Sequence, residues 1–76
     1  MTTLDQIPVG SRCRVQGVTG SPALVQRLGE LGLMEGEEIQ VLARAPLGDP
    51  IEIDSPLTRL SLRRSEAAKV QVTPLR

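Results

Sequence analysis

Residues 38–54 read EIQVLARAPLGDPIEID, and this stretch decides the fold. Apolar residues alternate with polar ones on both sides of a proline-rich centre. The alternating apolar positions are Ile39, Val41, Ala43, Ile51 and Ile53. Such alternation is typical of strands that bury one face, whereas two prolines and a glycine predict a loop. The stretch therefore predicts two β-strands joined by a loop at residues 45–50.

The same alternation predicts three further strands. One runs from Arg12 to Val18, one contains Leu60 and Leu62, and one contains Val70 and Val72 and stops at Pro74. Closing five short strands into a barrel removes the edges through which sheets aggregate. With 76 residues, the chain has room for one domain, residues 1–76. The predicted fold is mainly β, a small five-stranded barrel with Val15, Ile39, Val41, Ile51, Ile53, Leu60, Leu62, Val70 and Val72 inside.

One amphipathic helix is predicted between the first two strands, from about Pro22 to Leu31. Ser21 is a favourable N-cap, and proline is tolerated at the first helical position. Leu24, Leu28 and Leu31 recur at helical spacing, and we expect them to cover one opening of the barrel. Gly32 is expected to end the helix in a left-handed conformation, with Leu33 folding back onto the last turn. A single helical turn with Ser65 as its cap is predicted at residues 65–68.

The composition disfavours several functions. The chain has no Phe, Trp, Tyr or His, and nine basic residues balance nine acidic ones. Nucleic-acid binding normally needs a cluster of basic residues or aromatic platforms, so a small RNA-binding barrel is disfavoured. Catalysis through Cys13 is disfavoured because no histidine can activate the thiol, and we expect Cys13 to be a buried core residue. The absence of an apolar leader and of several cysteines favours a cytoplasmic location.

Metal binding remains an open alternative. Carboxylates are frequent between residues 30 and 54, at Glu30, Glu35, Glu37, Glu38, Asp49, Glu52 and Asp54. Carboxylates alone could hold Fe(II) weakly, but the chain offers no imidazole and only one thiol. We therefore predict no resident cofactor and no preformed metal site, and a solvated acidic face is the plainer interpretation. The charged residues between 55 and 76 are five basic ones and one acidic one, which either orients a charged partner or simply keeps the surface soluble.

Three segments resemble the FeoA family. They are LGELGLMEG at residues 28–36, APLGDPI at residues 45–51 and LSLRRSEA at residues 60–67. The family's patterns are L-x-x-L-G-hydrophobic-x-x-G, A-P-L-G-D-P-I and L-x-L-R-x-x-E/D-A. The resemblance extends from about Leu4 to Val72. It implies an SH3-like barrel with an added helix, without catalytic activity, that associates with the G-protein-like cytoplasmic domain of the FeoB membrane transporter and does not insert into the membrane.

A partner-binding surface is predicted where the helix end and the proline-rich loop meet. Its residues are Leu33, Met34, Pro46, Leu47, Asp49 and Pro50. A large apolar side chain at a loop tip contributes little to a core, and two prolines reduce the entropy that the loop loses on docking. In the alternative interpretation, Leu47 and Met34 fold back onto the barrel wall. A second alternative function is a divalent-metal-responsive domain that uses surface carboxylates.

Overall fold

The computed structural model describes residues 2–75. The strands are β1 (Thr2–Thr3), β2 (Arg12–Val18), β3 (Glu38–Arg44), β4 (Ile51–Asp54), β5 (Arg59–Leu62) and β6 (Val70–Pro74). The helices are α1 (Pro22–Glu30) and the four-residue α2 (Arg64–Ala67), and a 3-10 helix spans Leu4–Gln6. The mainly β architecture, its five alternating strands and the helix inserted after the first of them are confirmed.

The sheet differs from the predicted one in two respects. Its antiparallel order is β1-β6-β2-β3-β4-β5, so it has a sixth strand, and β1 and β5 are its free edges. The prediction that the strands close into a hydrogen-bonded ring is therefore wrong for residues 2–75. β1 consists of two threonines that pair with β6, and a two-residue strand is too short to show alternation.

The core is a single cluster of aliphatic side chains. Eight of the nine residues predicted to lie inside are buried, and the ninth, Leu60, is half-buried and packs against the same cluster. Cys13 is buried as predicted. Leu4 and Ile7 are also buried, and neither is among the nine residues predicted to lie inside. The 3-10 helix places both residues against the core by turning the chain before β2.

Both ends of α1 match the sequence pattern. The Ser21 hydroxyl accepts a hydrogen bond from the Leu24 N–H at 3.1 Å, and Leu28 is fully buried. Gly32 has a φ of +96°, and its N–H donates to the Gly29 carbonyl at 3.0 Å. The Leu33 N–H donates to the Leu28 carbonyl at 2.9 Å. This pair of bonds is a Schellman motif, which turns the chain back onto the last helical turn.

The predicted cap of the second helix is wrong. α2 begins at Arg64 rather than after Ser65. The Arg63 N–H donates to Oε1 of Glu66 at 3.0 Å, and the Arg64 N–H donates to Oδ1 of Asp49 at 3.1 Å. A carboxylate from the proline-rich loop therefore accepts from the first N–H of α2, and this connects residues 45–50 to α2.

Candidate functional site: an apolar groove and a proline-rich loop

One flank of α1 borders an open groove of about 530 Å³. Its apolar lining comes from Gly17, Val18, Val25, Gly29, Leu33 and Met34, and the polar residues Gln26, Glu30 and Glu35 complete it. We call this the apolar groove. Val25 is 39% exposed and Met34 is 57% exposed, so apolar surface is accessible at both. Contiguous exposed apolar surface of this kind marks interaction sites more often than single exposed residues do.

The groove follows from the local sequence of α1. Val25 and Gly29 are four residues apart and therefore share one flank of the helix. A Cβ on Gly29 would lie 3.7 Å from Cγ of Met34, so the missing side chain keeps the groove open beside that methionine. The helix stop at Gly32 then returns the chain, which places Leu33 and Met34 against the same flank.

Leu33 does not occupy the position that the sequence interpretation gave it. Its side chain is 1% exposed, so it belongs to the core and contributes only to the floor of the groove. The Schellman motif is the reason, because a hydrophobic residue in that position packs against the helix it ends. The prediction that Leu33 is a surface contact is therefore wrong, whereas Met34 beside it is accessible.

The proline-rich loop, residues 45–50, projects from the sheet. The Gly48 N–H donates to the Ala45 carbonyl at 2.7 Å, and the Ala45 N–H donates to the Pro50 carbonyl at 3.0 Å. These bonds close the loop on itself. Leu47 lies at its tip and is 92% exposed, so its side chain does not fold back onto the barrel wall.

Asp49 and Pro50 line a different cavity, of about 570 Å³, on the other flank of α1. The remaining lining residues are Arg27, Leu31, Ser61, Leu62, Arg63 and Glu66, and we call this the β5 cavity. The six residues predicted to form one surface therefore separate: Leu33 and Met34 line the apolar groove, whereas Asp49 and Pro50 line the β5 cavity. Pro46 and Leu47 line neither of them.

Hydrogen bonds and ion pairs shift the pKa of two carboxyl groups, and burial shifts the pKa of one thiol. Hydrogen bonds from Arg14 and Arg12 lower the pKa of Glu38, which pairs with these side chains at 3.2 and 3.3 Å. The hydrogen bond from the Arg63 N–H lowers the pKa of Glu66, and the Glu66 ion pair with Arg27 lowers it further. Burial raises the pKa of the Cys13 thiol to about 11, so this cysteine is un-ionised at neutral pH and unsuited to nucleophilic attack.

The acidic residues of the middle of the chain form no metal-binding cluster in the part of the chain that the structure describes. Among residues 2–75, no group of three Cys, Asp or Glu side chains is close enough to hold a metal ion. Glu38, the acidic residue at the start of β3, instead bridges two arginines of β2. Over the same range, no helix has the length and apolar character needed to span a bilayer.

Fold and groove together define a small SH3-like β domain with an exposed apolar groove. A solved relative with the same architecture is the zinc complex of FeoA from Stenotrophomonas maltophilia, which is described as a prokaryotic SH3 domain protein. It is 35% identical, with a TM-score of 0.83, and the match covers 96% of this chain and 91% of that one. The FeoA domain family matches residues 2–74, and the chain therefore belongs to the FeoA family.

Two further relatives agree with this assignment. The FeoA protein of Chlorobium tepidum is 40% identical, with a TM-score of 0.93, and the match covers 99% of this chain and 71% of that one. A fusion of Fe(2+) transport protein A with the Fe(2+) transporter FeoB, from Porphyromonas gingivalis, is 33% identical over 69 residues. That match covers 91% of this chain but only 8% of the fusion protein. The family is thus one associated with ferrous iron transport.

Proposed function

We propose that this chain is a non-catalytic accessory protein of bacterial ferrous iron uptake that binds the G-protein-like cytoplasmic part of the FeoB transporter. It would act in the cytoplasm, at the inner membrane. The observation that carries this proposal is the P. gingivalis fusion, where a segment similar to this chain is joined to FeoB. Joining two domains in one chain keeps them at a high effective concentration. A FeoA domain that works with the transporter needs a surface that contacts it.

The apolar groove and the proline-rich loop are the surface that we propose for this contact. Met34 offers a flexible thioether that adapts to a partner's shape, and Leu47 offers an apolar side chain that is almost fully exposed. Pro46 and Pro50 restrict the loop, which lowers the conformational entropy lost on docking. Asp49 holds the loop to α2 through its bond with the Arg64 N–H. Leu33 supports the groove from below.

Binding to the purified cytoplasmic domain of FeoB tests this, with and without guanine nucleotide. Because Met34 and Leu47 lie apart, Met34→Asp and Leu47→Asp are measured singly and together. A desolvated aspartate in an apolar contact should weaken binding about tenfold or more. Val9→Asp is the matched control, since Val9 is 53% exposed and lies outside the groove and the loop. A double variant that folds and binds as tightly as the parent contradicts the assignment of this surface.

A divalent-metal-responsive role is the second candidate, because the S. maltophilia relative was solved as a zinc complex. The residues described here offer this role little support, since they hold no ready group of three ligands. We expect calorimetric titration with Zn(II) or Fe(II) to show only weak binding, because an unassembled ligand set must be ordered as the metal binds. Stoichiometric sub-micromolar binding by the monomer would instead favour the metal-responsive role.

A further inference from the structure

The free edge of β5 forms a second surface, on the flank of α1 opposite the apolar groove. β5 pairs only with β4, so its other side has no neighbouring strand within residues 2–75. In an antiparallel pair, residues alternate between positions that bond across the ladder and positions that point away from it. The Ser55 N–H donates to the Thr58 carbonyl at 2.9 Å, which identifies that pair as a bonded one. Counting along the register, the main-chain groups of Leu60 and Leu62 face β4.

The main-chain groups of Arg59, Ser61 and Arg63 therefore point to the outer edge. Arg63 is already satisfied, because its N–H donates to Glu66 and its carbonyl accepts from the N–H groups that follow in α2. The Arg59 carbonyl accepts from the Thr58 hydroxyl at 3.2 Å. Ser61 is thus the position whose outward N–H and outward carbonyl both have no hydrogen-bond partner among residues 2–75. It lines the β5 cavity, so space exists beside it.

Two arginine side chains, Arg59 and Arg63, lie on either side of Ser61 and favour a partner with acidic residues at the positions opposite them. Arg59, Ser61 and Arg63 alternate along the chain and share one face of the strand. The ion pairs formed among residues 2–75 use Arg12, Arg14 and Arg27. None of them uses Arg59 or Arg63, even though Asp54 of β4 lies opposite Arg59 in the register. The two carboxylates of the cavity, Asp49 and Glu66, already accept main-chain N–H groups of α2 and its cap.

A second copy of this chain is a poor partner for the same edge. If two β5 strands paired antiparallel about Ser61, Arg59 of each copy would lie opposite Arg63 of the other. Like charges directly opposite one another destabilise a sheet. The same geometry favours a strand that carries acidic residues at those two positions.

We propose that the β5 edge accepts an extended acidic segment of a partner protein as an added antiparallel strand. One acidic side chain lies opposite Arg59 and a second lies opposite Arg63, while Ser61 exchanges two main-chain hydrogen bonds with the residue between them. Main-chain bonds supply affinity in this mode of recognition, and alternate side chains supply specificity. The proposal does not depend on FeoB binding, because it is argued from the main-chain groups and arginines of β5. Of the surface proposed for FeoB, only Asp49 and Pro50 also line the β5 cavity.

The probe is an acetylated and amidated nine-residue peptide, TVEVTVEVT, with the lysine peptide TVKVTVKVT as its control. Each is titrated into the isotope-labelled protein while the backbone amide resonances are followed by NMR. We expect the acidic peptide to shift the amides of Arg59 and Ser61 and to bind about tenfold or more tightly than the lysine peptide. Equal binding of the two peptides, no binding by either, or shifts centred on the apolar groove contradicts the proposal.

Two sets of variants separate main-chain from charge recognition. Ser61→Pro removes only an N–H that faces outwards, which is where an edge strand tolerates proline, whereas Ser61→Ala keeps that N–H. The acidic peptide should therefore bind to Ser61→Ala but not to Ser61→Pro, and equal binding to both contradicts the proposal. Should Ser61→Pro fail to fold, the Arg59→Glu, Arg63→Glu double variant decides. It should prefer the lysine peptide, and a retained preference for the acidic peptide contradicts the proposal.

Discussion

The turn after α1 and the proline-rich loop use the same local device but end in opposite environments. Each contains a left-handed glycine, Gly32 with a φ of +96° and Gly48 with a φ of +84°. Leu33, directly after the first glycine, is 1% exposed, whereas Leu47, directly before the second, is 92% exposed. Glycine geometry therefore allows the chain to turn without deciding whether the neighbouring leucine is buried.

The anchoring of the two turns accounts for the difference. The turn after α1 is held by bonds to distant residues, since the buried Ser55 hydroxyl donates to the Leu31 carbonyl at 2.7 Å. The proline-rich loop is closed mainly by bonds among its own residues. A leucine in the first turn contributes to stability, whereas a leucine at the tip of the second is available to a partner. The following changes test that contrast, from the largest expected effect to the smallest.

Leu33→Ala should have the largest effect. The substitution leaves a cavity under the helix end, and truncation of a core leucine usually costs about 2–5 kcal/mol of unfolding free energy. That is a large part of the total for a domain of this size. Urea unfolding followed by circular dichroism measures it. A cost below about 1 kcal/mol would show that Leu33 is not a core residue.

Gly32→Ala should be more harmful than Gly48→Ala. Both substitutions force a residue with a Cβ into the left-handed region, which costs about 1–2 kcal/mol. At Gly32 the new Cβ would also lie 2.9 Å from the Ser55 hydroxyl oxygen, whereas at Gly48 it would meet nothing within 4 Å. The two variants are compared by urea unfolding. Equal losses would contradict the close approach of Ser55 to the helix end.

Ser55→Ala should cost about 1–3 kcal/mol. The Ser55 hydroxyl lies 2.7 Å from the Leu31 carbonyl and 2.8 Å from the Thr58 carbonyl, and it accepts a bond from the Thr58 N–H at 3.2 Å. Its loss leaves partly buried groups without a partner. Ser61→Ala, on an exposed position, is the control and should leave the unfolding midpoint almost unchanged.

Acid should weaken the N-terminal cap of α2 and its ion pair with α1. The pKa of Glu66 is lowered from its ordinary value of 4.5, first by the Arg63 N–H, so the stabilisation is present above that value and is lost as pH falls through the lower folded pKa. The effect is small because the group is solvent-screened. Comparing the parent with Glu66→Gln between pH 6 and pH 3 checks it. A variant with the same pH dependence as the parent would rule out this contribution.

Leu47→Ala should have the smallest effect on folding, within about 0.5 kcal/mol of the parent. Its side chain is 92% exposed, so truncation removes almost no buried surface. Unfolding in urea measures this, and a loss above about 1 kcal/mol would mean that Leu47 packs against the barrel. The loss of unfolding free energy in Leu33→Ala minus the loss in Leu47→Ala measures the contrast between the two turns.

The sequence predicts the exposure of single residues of the site, but it does not predict which of them lie together. Met34 and Leu47 are exposed, which agrees with their predicted positions after the helix stop and at the loop tip and not with the alternative that they fold back onto the barrel wall. Leu33 was assigned to the surface, although the same helix-stop pattern already indicated that it folds back. The separation of Asp49 from Met34 by the width of α1 depends on how the helix crosses the sheet, and no local pattern encodes it.

The sequence by itself determined the five alternating strands, the bounds of α1 and both of its caps. Those features depend on residues two to five positions apart, so the interactions that stabilise them join residues that are close in sequence. Only the tertiary structure decided the pairing of β1 with β6, the burial of Leu4 and Ile7, and the free edge at β5. It also decided that Ser55 holds the Leu31 carbonyl. These contacts join residues far apart in sequence, and they form only where the whole sheet brings their backbones together.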